Sequence, residues 1–386
     1  MQKTIKTEPN PFFTKMPSLC ITLTSPLVLK AFLLGHIRGL SCAWDVAVCV
    51  NVKECEVTFN LEGSTVLYPF EIRREVALFH DLLALGKLWH FYNSKKFQAL
   101  VTVTPKGGLL GMMAARFARI PLRVHWFTGQ VWATRKGMVR AMLKGFDRLT
   151  AACATHVLAD SPSQRDFLVR EGVVSKDKIS VLGQGSISGV DTARFRPDSM
   201  AQAQIRGELH IPNDALCLLY IGRMKKDKGV SDLLDAFRVL RTEFKNLHLL
   251  LVGPDEEGLL TNMKMNGLHI IGYTSKAEDY MAAADIICLP SYREGFGSVL
   301  IEGAACGLPA VASHIYGITD AVVENVTGLL HPPGDVQALV DSLHLLLSDE
   351  VLRIRLGKQA YERALASFKA SQIENLFVQF LAANRA

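Results

Sequence analysis

Two carboxylates eight residues apart, Glu294 and Glu302, mark the chemistry most legible in this 386-residue chain. They bound the segment Glu294-Gly-Phe-Gly-Ser-Val-Leu-Ile-Glu302, in which Gly295 and Gly297 flank Phe296 and an apolar run from Ser298 carries the second acid. The pattern predicts a loop holding Glu294 and a helix holding Glu302. A helix N-terminus lies between them, with unpaired N–H groups and the positive end of the helix dipole. That is an anion site beside two hydroxyl acceptors, suited to a phosphorylated, hydroxyl-rich ligand such as a sugar nucleotide. Upstream, in YIGRMKKDKGVSDLLDAF, Gly222-Arg223 follows a strand-like run and Lys228-Gly229 precedes a helical one. Arginine offers a planar fork to phosphate oxygens and lysine a point charge. The division of labour follows. Gly222, Arg223, Lys228 and the backbone of Gly295, Phe296, Gly297 and Ser298 suit a diphosphate, Glu302 a ribose diol, and Glu294 the hydroxyls of an attached sugar. An acid within VLIEGAAC needs a partner if it is buried.

The elements that position these groups alternate. Apolar runs predict strands at 19–23, 45–50, 99–103, 122–127, 155–158 and 179–182, and helical spacing fills 27–40 and 77–91. Pro105-Lys106-Gly107-Gly108 reads as a turn before a helix over 109–118. Residues 192–215, polar and holding Pro197 and Pro212, read as a linker with a short helix. The rhythm then restarts with strands at 216–221, 247–252, 269–272, 286–289 and 310–312, a helix over 230–240, and a mostly helical tail over 336–381. The expected architecture is α/β: two doubly wound parallel-sheet domains of Rossmann type, 18–191 and 216–386, facing each other across a central cleft.

Composition narrows the class. Hydrophobic residues make up 49% and charged residues 21%, as in a globular protein. No apolar run reaches the roughly 18 residues of a membrane span. The polar first 17 residues lack a signal-peptide core, which predicts a cytoplasmic protein. Cys20, Cys42, Cys49, Cys55, Cys153, Cys217, Cys288 and Cys306 form no CxxC pair, so reduced thiols are expected rather than a zinc site or a disulfide framework. Residues 1–195 carry a net charge of +11 and residues 196–386 a net charge of −5. A basic N-terminal half points to an anionic partner.

GRMKKDKG, LPSYREGFGSVLIEGAACGLPAVAS and GLLHPPGD resemble the retaining glycosyltransferases of family 4, which have the GT-B fold. The resemblance spans residues 18–386 and is most specific in the C-terminal half. It implies that Arg223 and Lys228 bind the donor diphosphate, Glu302 the ribose and Glu294 the donor sugar, with no metal or cofactor. VTPKGGLLGMMAARFARIPLRVHWFTGQVWATRKG and VLGQGSISGVDTARF resemble the bacterial branch that builds surface polysaccharides, O-antigen among them, on a lipid carrier. The implied reaction moves a hexose or N-acetylhexosamine from a nucleotide sugar, UDP-linked by expectation, to a lipid-linked saccharide.

The N-terminal half departs from this family. Thr128-Gly129-Gln130 stands where many members place a histidine, leaving Thr128 and Gln130 as acceptor-side candidates beside Lys106 and Gly107. His125 reads as a packed strand residue. TLTSPLVLK lacks the glycine-rich loop common after the first strand, and these departures motivate an alternative: a catalytically degenerate nucleotide-sugar-binding protein. GQGSISG nearly matches a dinucleotide motif, but no helical run follows it. Residues 135–148, RKGMVRAMLKGFDR, predict a basic amphipathic helix, either an ordinary surface helix or one lying on anionic lipid as a peripheral membrane contact. No aromatic platform interleaves its charges, which argues against nucleic acid.

Overall fold

The computed structural model of the protein describes residues 16–51, 65–72, 77–261 and 263–385. Two parallel sheets organise them. The first holds β1 (Ser18–Leu23), β2 (Asp45–Val50), β3 (Val66–Pro69), β4 (Ala99–Thr102), β5 (Leu122–Phe127), β6 (His156–Ala159) and β7 (Ile179–Val181), in the order β3-β2-β1-β4-β5-β6-β7. The second holds β8 (Leu216–Ile221), β9 (Leu247–Val252), β10 (Leu268–Ile271), β11 (Ile286–Leu289), β12 (Ala310–Ser313) and β13 (Gly328–His331), in the order β10-β9-β8-β11-β12-β13. The central strands are buried almost throughout and mostly apolar because helices cover both faces. The expected α/β architecture of two doubly wound parallel sheets is therefore present.

In each sheet the strand order reverses beside the first strand, between β1 and β4 and between β8 and β11. At such a switch point the loops after the two strands diverge and leave a crevice. The loops after β8 and β11 carry the Arg223–Lys228 and Glu294–Ser298 segments, which explains how residues far apart in sequence share one crevice.

Several expectations need correction. Pro105-Lys106-Gly107-Gly108 is not a turn but the first turn of the helix Pro105–Phe117. Proline is favoured there because its missing N–H is not needed at the first helical position. The segment read as one α-helix over 27–40 is interrupted by a π-helical stretch, Leu29–Leu33. The tail also divides. Val336–Ser348 and Glu350–Ser367 pack on the second sheet, whereas Ala370–Ala383 returns to the first domain, burying Phe377 and Leu381 among Trp126, Leu33 and Ile37. The two crossings between domains are joined, Val190 N donating to Phe368 O (2.7 Å) and Ala370 N to Val190 O (2.9 Å). Short edge strands β3 and β13 complete the sheets. Cys55 lies outside the described residues, and the other seven cysteines are free thiols.

Candidate functional site

The loop after β8 begins at Gly222 and ends in a 3-10 turn, Lys226–Lys228. Gly229 follows with φ +67°, and a Cβ there would run into the Pro290 carbonyl. Glycine at this position lets the β8 loop close onto the β11 loop. The closure places Lys228 Nζ 2.6 Å from Glu294 Oε1, which also accepts from Ser291 Oγ at 2.9 Å. Both side chains are about 15% exposed, recessed in the crevice but open to a ligand. Arg293 Nη2 pairs with Asp227 at 2.9 Å and Lys225 with Glu256 at 2.8 Å. Arg223 stands half-exposed, its guanidinium 3.7 Å from Glu256. An ammonium has three donors, so Lys228 retains N–H groups beyond the one that meets Glu294.

Phe296 is buried and packs edge-on to Phe368 at 5.4 Å, anchoring the glycine loop. Gly297, φ +79°, caps the helix Ser298–Ala305 with no side-chain acceptor, so its first N–H groups are left without a side-chain cap. Glu302 sits one turn along. Burial pushes its pKa up to about 7, with Arg194 pulling it down and Glu278 pushing it up. It opens onto a cavity of about 470 Å³ lined by Lys30, Gly35 and Arg38 of the first helix, by residues 188–195, and by Lys369–Ser371. Arg194, which sequence reasoning missed, spans this wall by donating to Ser275 O (2.7 Å) and Glu278 Oε2 (2.6 Å).

On the N-terminal side, Thr128-Gly129-Gln130 leaves β5 and meets the other domain. A Cβ on Gly129 would lie 3.2 Å from Gly295 N. Thr128 is half-buried at this junction, and Gln130 is 2% exposed. The Gln130 amide donates to Thr128 O (3.0 Å) and its oxygen accepts from Gln164 Nε2 (3.2 Å), so it shapes the loop rather than presenting a free amide. Lys106 is paired with Asp81 at 2.6 Å, and Gly107 is packed against Leu23, Thr24 and Thr104 at the first switch point. His125 is the packed strand residue expected: it is 1% exposed, bonded through Nδ1 to Thr102 Oγ1 (2.7 Å), with burial pushing its pKa down to about 3. GQGSISG leads into the domain crossing and not into a helix.

Sequence reasoning also missed the residues that join the domains. Ser163 N donates to Asp320 Oδ2 (2.9 Å), its hydroxyl bonds the same carboxylate, and Gly317 N donates to Ser163 Oγ (2.7 Å). Ser161 caps the helix Pro162–Arg170 by accepting from Gln164 N at 3.1 Å. The run Ser-Pro-Ser-Gln is a readable capping signal, though nothing in it announces an inter-domain contact.

Residues 201–363 match the family "Glycosyl transferases group 1", and residues 37–185 match "Glycosyl transferase 4-like domain". The chain belongs to the group 1 glycosyltransferases. It is 28% identical over 328 residues to the capsular polysaccharide biosynthesis glycosyltransferase CapM of Staphylococcus aureus, covering 82% of this chain and 86% of that protein. It is 23% identical over 325 residues to the UDP-Gal:alpha-D-GlcNAc-diphosphoundecaprenol alpha-1,3-galactosyltransferase of Escherichia coli, covering 80% and 82% respectively. In shape it resembles Anabaena Alr3699/HepE, solved in complex with UDP and glucose, with a TM-score of 0.77 at 18% identity, over 95% of this chain and all of that one. The two-domain GT-B architecture is thus established for this glycosyltransferase.

Proposed function

We propose that this glycosyltransferase moves a hexose or N-acetylhexosamine from a UDP-sugar to a lipid-linked saccharide during surface polysaccharide synthesis. On this reading it retains the anomeric configuration and uses no metal. The observation that carries the proposal is the meeting of Lys228 and Glu294 beside the uncapped N-terminus of Ser298–Ala305, with Glu302 one turn further along. The names of the two curated relatives support the polysaccharide context, and the second supports a UDP donor and a diphosphate-lipid acceptor.

Charge development sets the roles. As the bond from sugar to diphosphate lengthens, the sugar gains oxocarbenium character and negative charge collects on the leaving group. Arg223, Lys228 and the amides after Gly297 meet that charge. Glu294 accepts from the sugar hydroxyls, and Glu302 from the ribose diol. The nucleoside occupies the cavity beside Glu302, whose volume falls in the usual range for small-molecule sites. Glu294, bound to Lys228 and Ser291, is not poised as a covalent nucleophile. The acceptor hydroxyl therefore attacks the face that the diphosphate leaves, and the departing phosphate oxygen takes its proton.

The lipid-linked acceptor is met at an apolar, basic face of the first domain. The helix expected over 135–148 runs from Gly137 to Cys153, and its orientation differs from a simple cations-outward arrangement. Arg140 and Lys144 turn inward onto Glu171 and the Trp132 ring, while Met138 is 87% exposed beside half-exposed Met142. Leu78, Phe79 and Leu82 of the helix Leu78–Lys95 are also exposed, and Arg135 and Lys136 add exposed charge. No helix among the described residues is long and apolar enough to cross a membrane. The test is radiolabelled transfer from a panel of UDP- and GDP-sugars to a lipid-linked saccharide, with product linkage read by mass spectrometry. Wild-type-like turnover in both Arg223→Ala and Lys228→Ala would sink the assignment.

A further inference from the structure

We propose that Asp160 is a positioning residue: as a neutral acid it holds the N-terminal domain against the Glu294–Gly295 loop, and its ionisation releases that contact. The proposal rests on the reading of Glu294 as a sugar-binding group, since it concerns what fixes the loop carrying it.

Asp160 follows β6 at the ligand-facing edge of the first sheet and is 4% exposed. Its backbone is held on both sides, N donating to Gln164 Oε1 (2.7 Å) and O accepting from Ser186 N (2.7 Å). Its carboxyl is not so well served. Oδ1 has no hydrogen-bond partner, nor does the Trp126 Nε1 beside it. Oδ2 lies against Gly295, where a Cβ would sit 2.8 Å from Oδ2, 2.8 Å from Gly129 N and 3.0 Å from Thr128 C. Gly295 is thus gripped between two N-terminal segments, with Ser161 Oγ donating to its carbonyl at 3.4 Å. Glycine is required there because any side chain would force the domains apart.

A carboxylate in this position would be a buried charge with no paired cation and only the Trp126 indole N–H beside it, which burial disfavours strongly. No described cation is ion-paired with it. Arg293, near Gly129, is committed to Asp227, and Glu294 is held by Lys228. His36, whose ring lies 5.6 Å from that of Trp126, is kept neutral by burial, its pKa pushed down to about 4. The helix Pro162–Arg170 presents the uncharged Ser163 and Gln164, and the turn at Ser186 is also uncharged. Burial accordingly pushes the Asp160 pKa up to about 8, with only the Trp126 indole pulling it down.

The sign follows from linkage. In a solvated, open arrangement the carboxyl returns to about 3.9. The closed form therefore holds a proton that the open form releases. Closure is most favoured below pH 4, weakens by up to about tenfold per pH unit toward pH 8, and is constant above.

Small-angle X-ray scattering of the ligand-free full chain between pH 6 and 9 tests this without a donor. For the wild type the radius of gyration should rise toward pH 8 and then level. Asp160→Asn, neutral and of the same shape, should remain compact throughout, and Asp160→Ala should lose the pH dependence as well. A flat wild-type curve, or a variant that follows the wild type, overturns the proposal; if one variant fails to melt cooperatively, the other and the wild-type curve decide. Calorimetric titration with UDP-glucose at pH 7 addresses the donor separately, because absent binding would count against the nucleotide-sugar reading while leaving the scattering result intact.

Discussion

The two sheet edges that face the cleft are built from different chemistry. On the C-terminal side the loops carry charge in pairs: Lys228 with Glu294, Arg293 with Asp227, and Lys225 with Glu256. On the N-terminal side the first switch point carries one ion pair, Lys106 with Asp81, beside hydroxyls: Thr24 Oγ1 is bonded to Thr104 Oγ1 at 2.9 Å, and Thr22 Oγ1 to Tyr92 OH at 2.7 Å in the core behind them. The adjoining loop is held by Gln130 and Gln164. Bulk charge runs the other way, since the first half of the chain is basic and the second acidic. Net charge therefore says little about what each edge binds. Five cations of the acidic half, Arg223, Lys225, Lys226, Lys228 and Arg293, nevertheless stand on the two loops where a diphosphate is expected. An edge with several cations suits an anionic leaving group, and an edge richer in hydroxyls and amides suits a saccharide.

Substitutions that break this contrast should rank by how much charge they leave uncompensated. Lys228→Ala removes the cation assigned above to the leaving diphosphate and takes the ion-pair partner from Glu294, so turnover should fall by roughly 10²–10³-fold in a transfer assay, as for loss of one preorganised donor. Glu302→Ala should raise the donor KM by about tenfold with a smaller change in kcat, the cost expected for a lost charged hydrogen bond; equal losses in kcat would move Glu302 toward the reacting centre. Gln130→Ala should raise the acceptor KM a few-fold and leave donor affinity, read by calorimetry, unchanged. A matching loss of donor affinity would erase the contrast between the edges. The smallest effect on the folded chain should come from Met138→Asp with Met142→Asp. Stability should change by no more than about 1 kcal/mol because Met138 is 87% exposed and Met142 half-exposed, while flotation with anionic vesicles should weaken clearly.

What the sequence disclosed follows from the range over which each interaction acts. Apolar runs reveal buried strands because both faces of each sheet are covered, and so the two-domain plan was legible. The Glu294–Glu302 spacing and the Arg223–Lys228 loop were legible because each lies on one local strand–loop–helix unit. The Lys228–Glu294 pair itself was not, since it depends on Gly229 closing onto the Pro290 carbonyl. Pro105 misled in a local way, its helix-starting role masked by the two glycines after it. Asp160, Ser163 and Asp320 were invisible because their meaning comes from the other domain. The helix Gly137–Cys153 was seen, but its inward-facing cations depend on Glu171 and Trp132, which no spacing within the helix encodes.

The return of Ala370–Ala383 to the first domain has a consequence for how the molecule is made. The floor beneath Trp126, Leu33 and Ile37 is covered by Phe377 and Leu381, which are translated after every strand of the second domain. A nascent chain usually completes its leading domain while the trailing one is still being synthesised. Here the leading domain emerges with an apolar strip bare and must keep it from neighbouring chains until the second domain has also been made. The helix Ala370–Ala383 acts as a seal applied only after the second domain is made, so a chain truncated shortly before it would hold a first domain that is present but sticky.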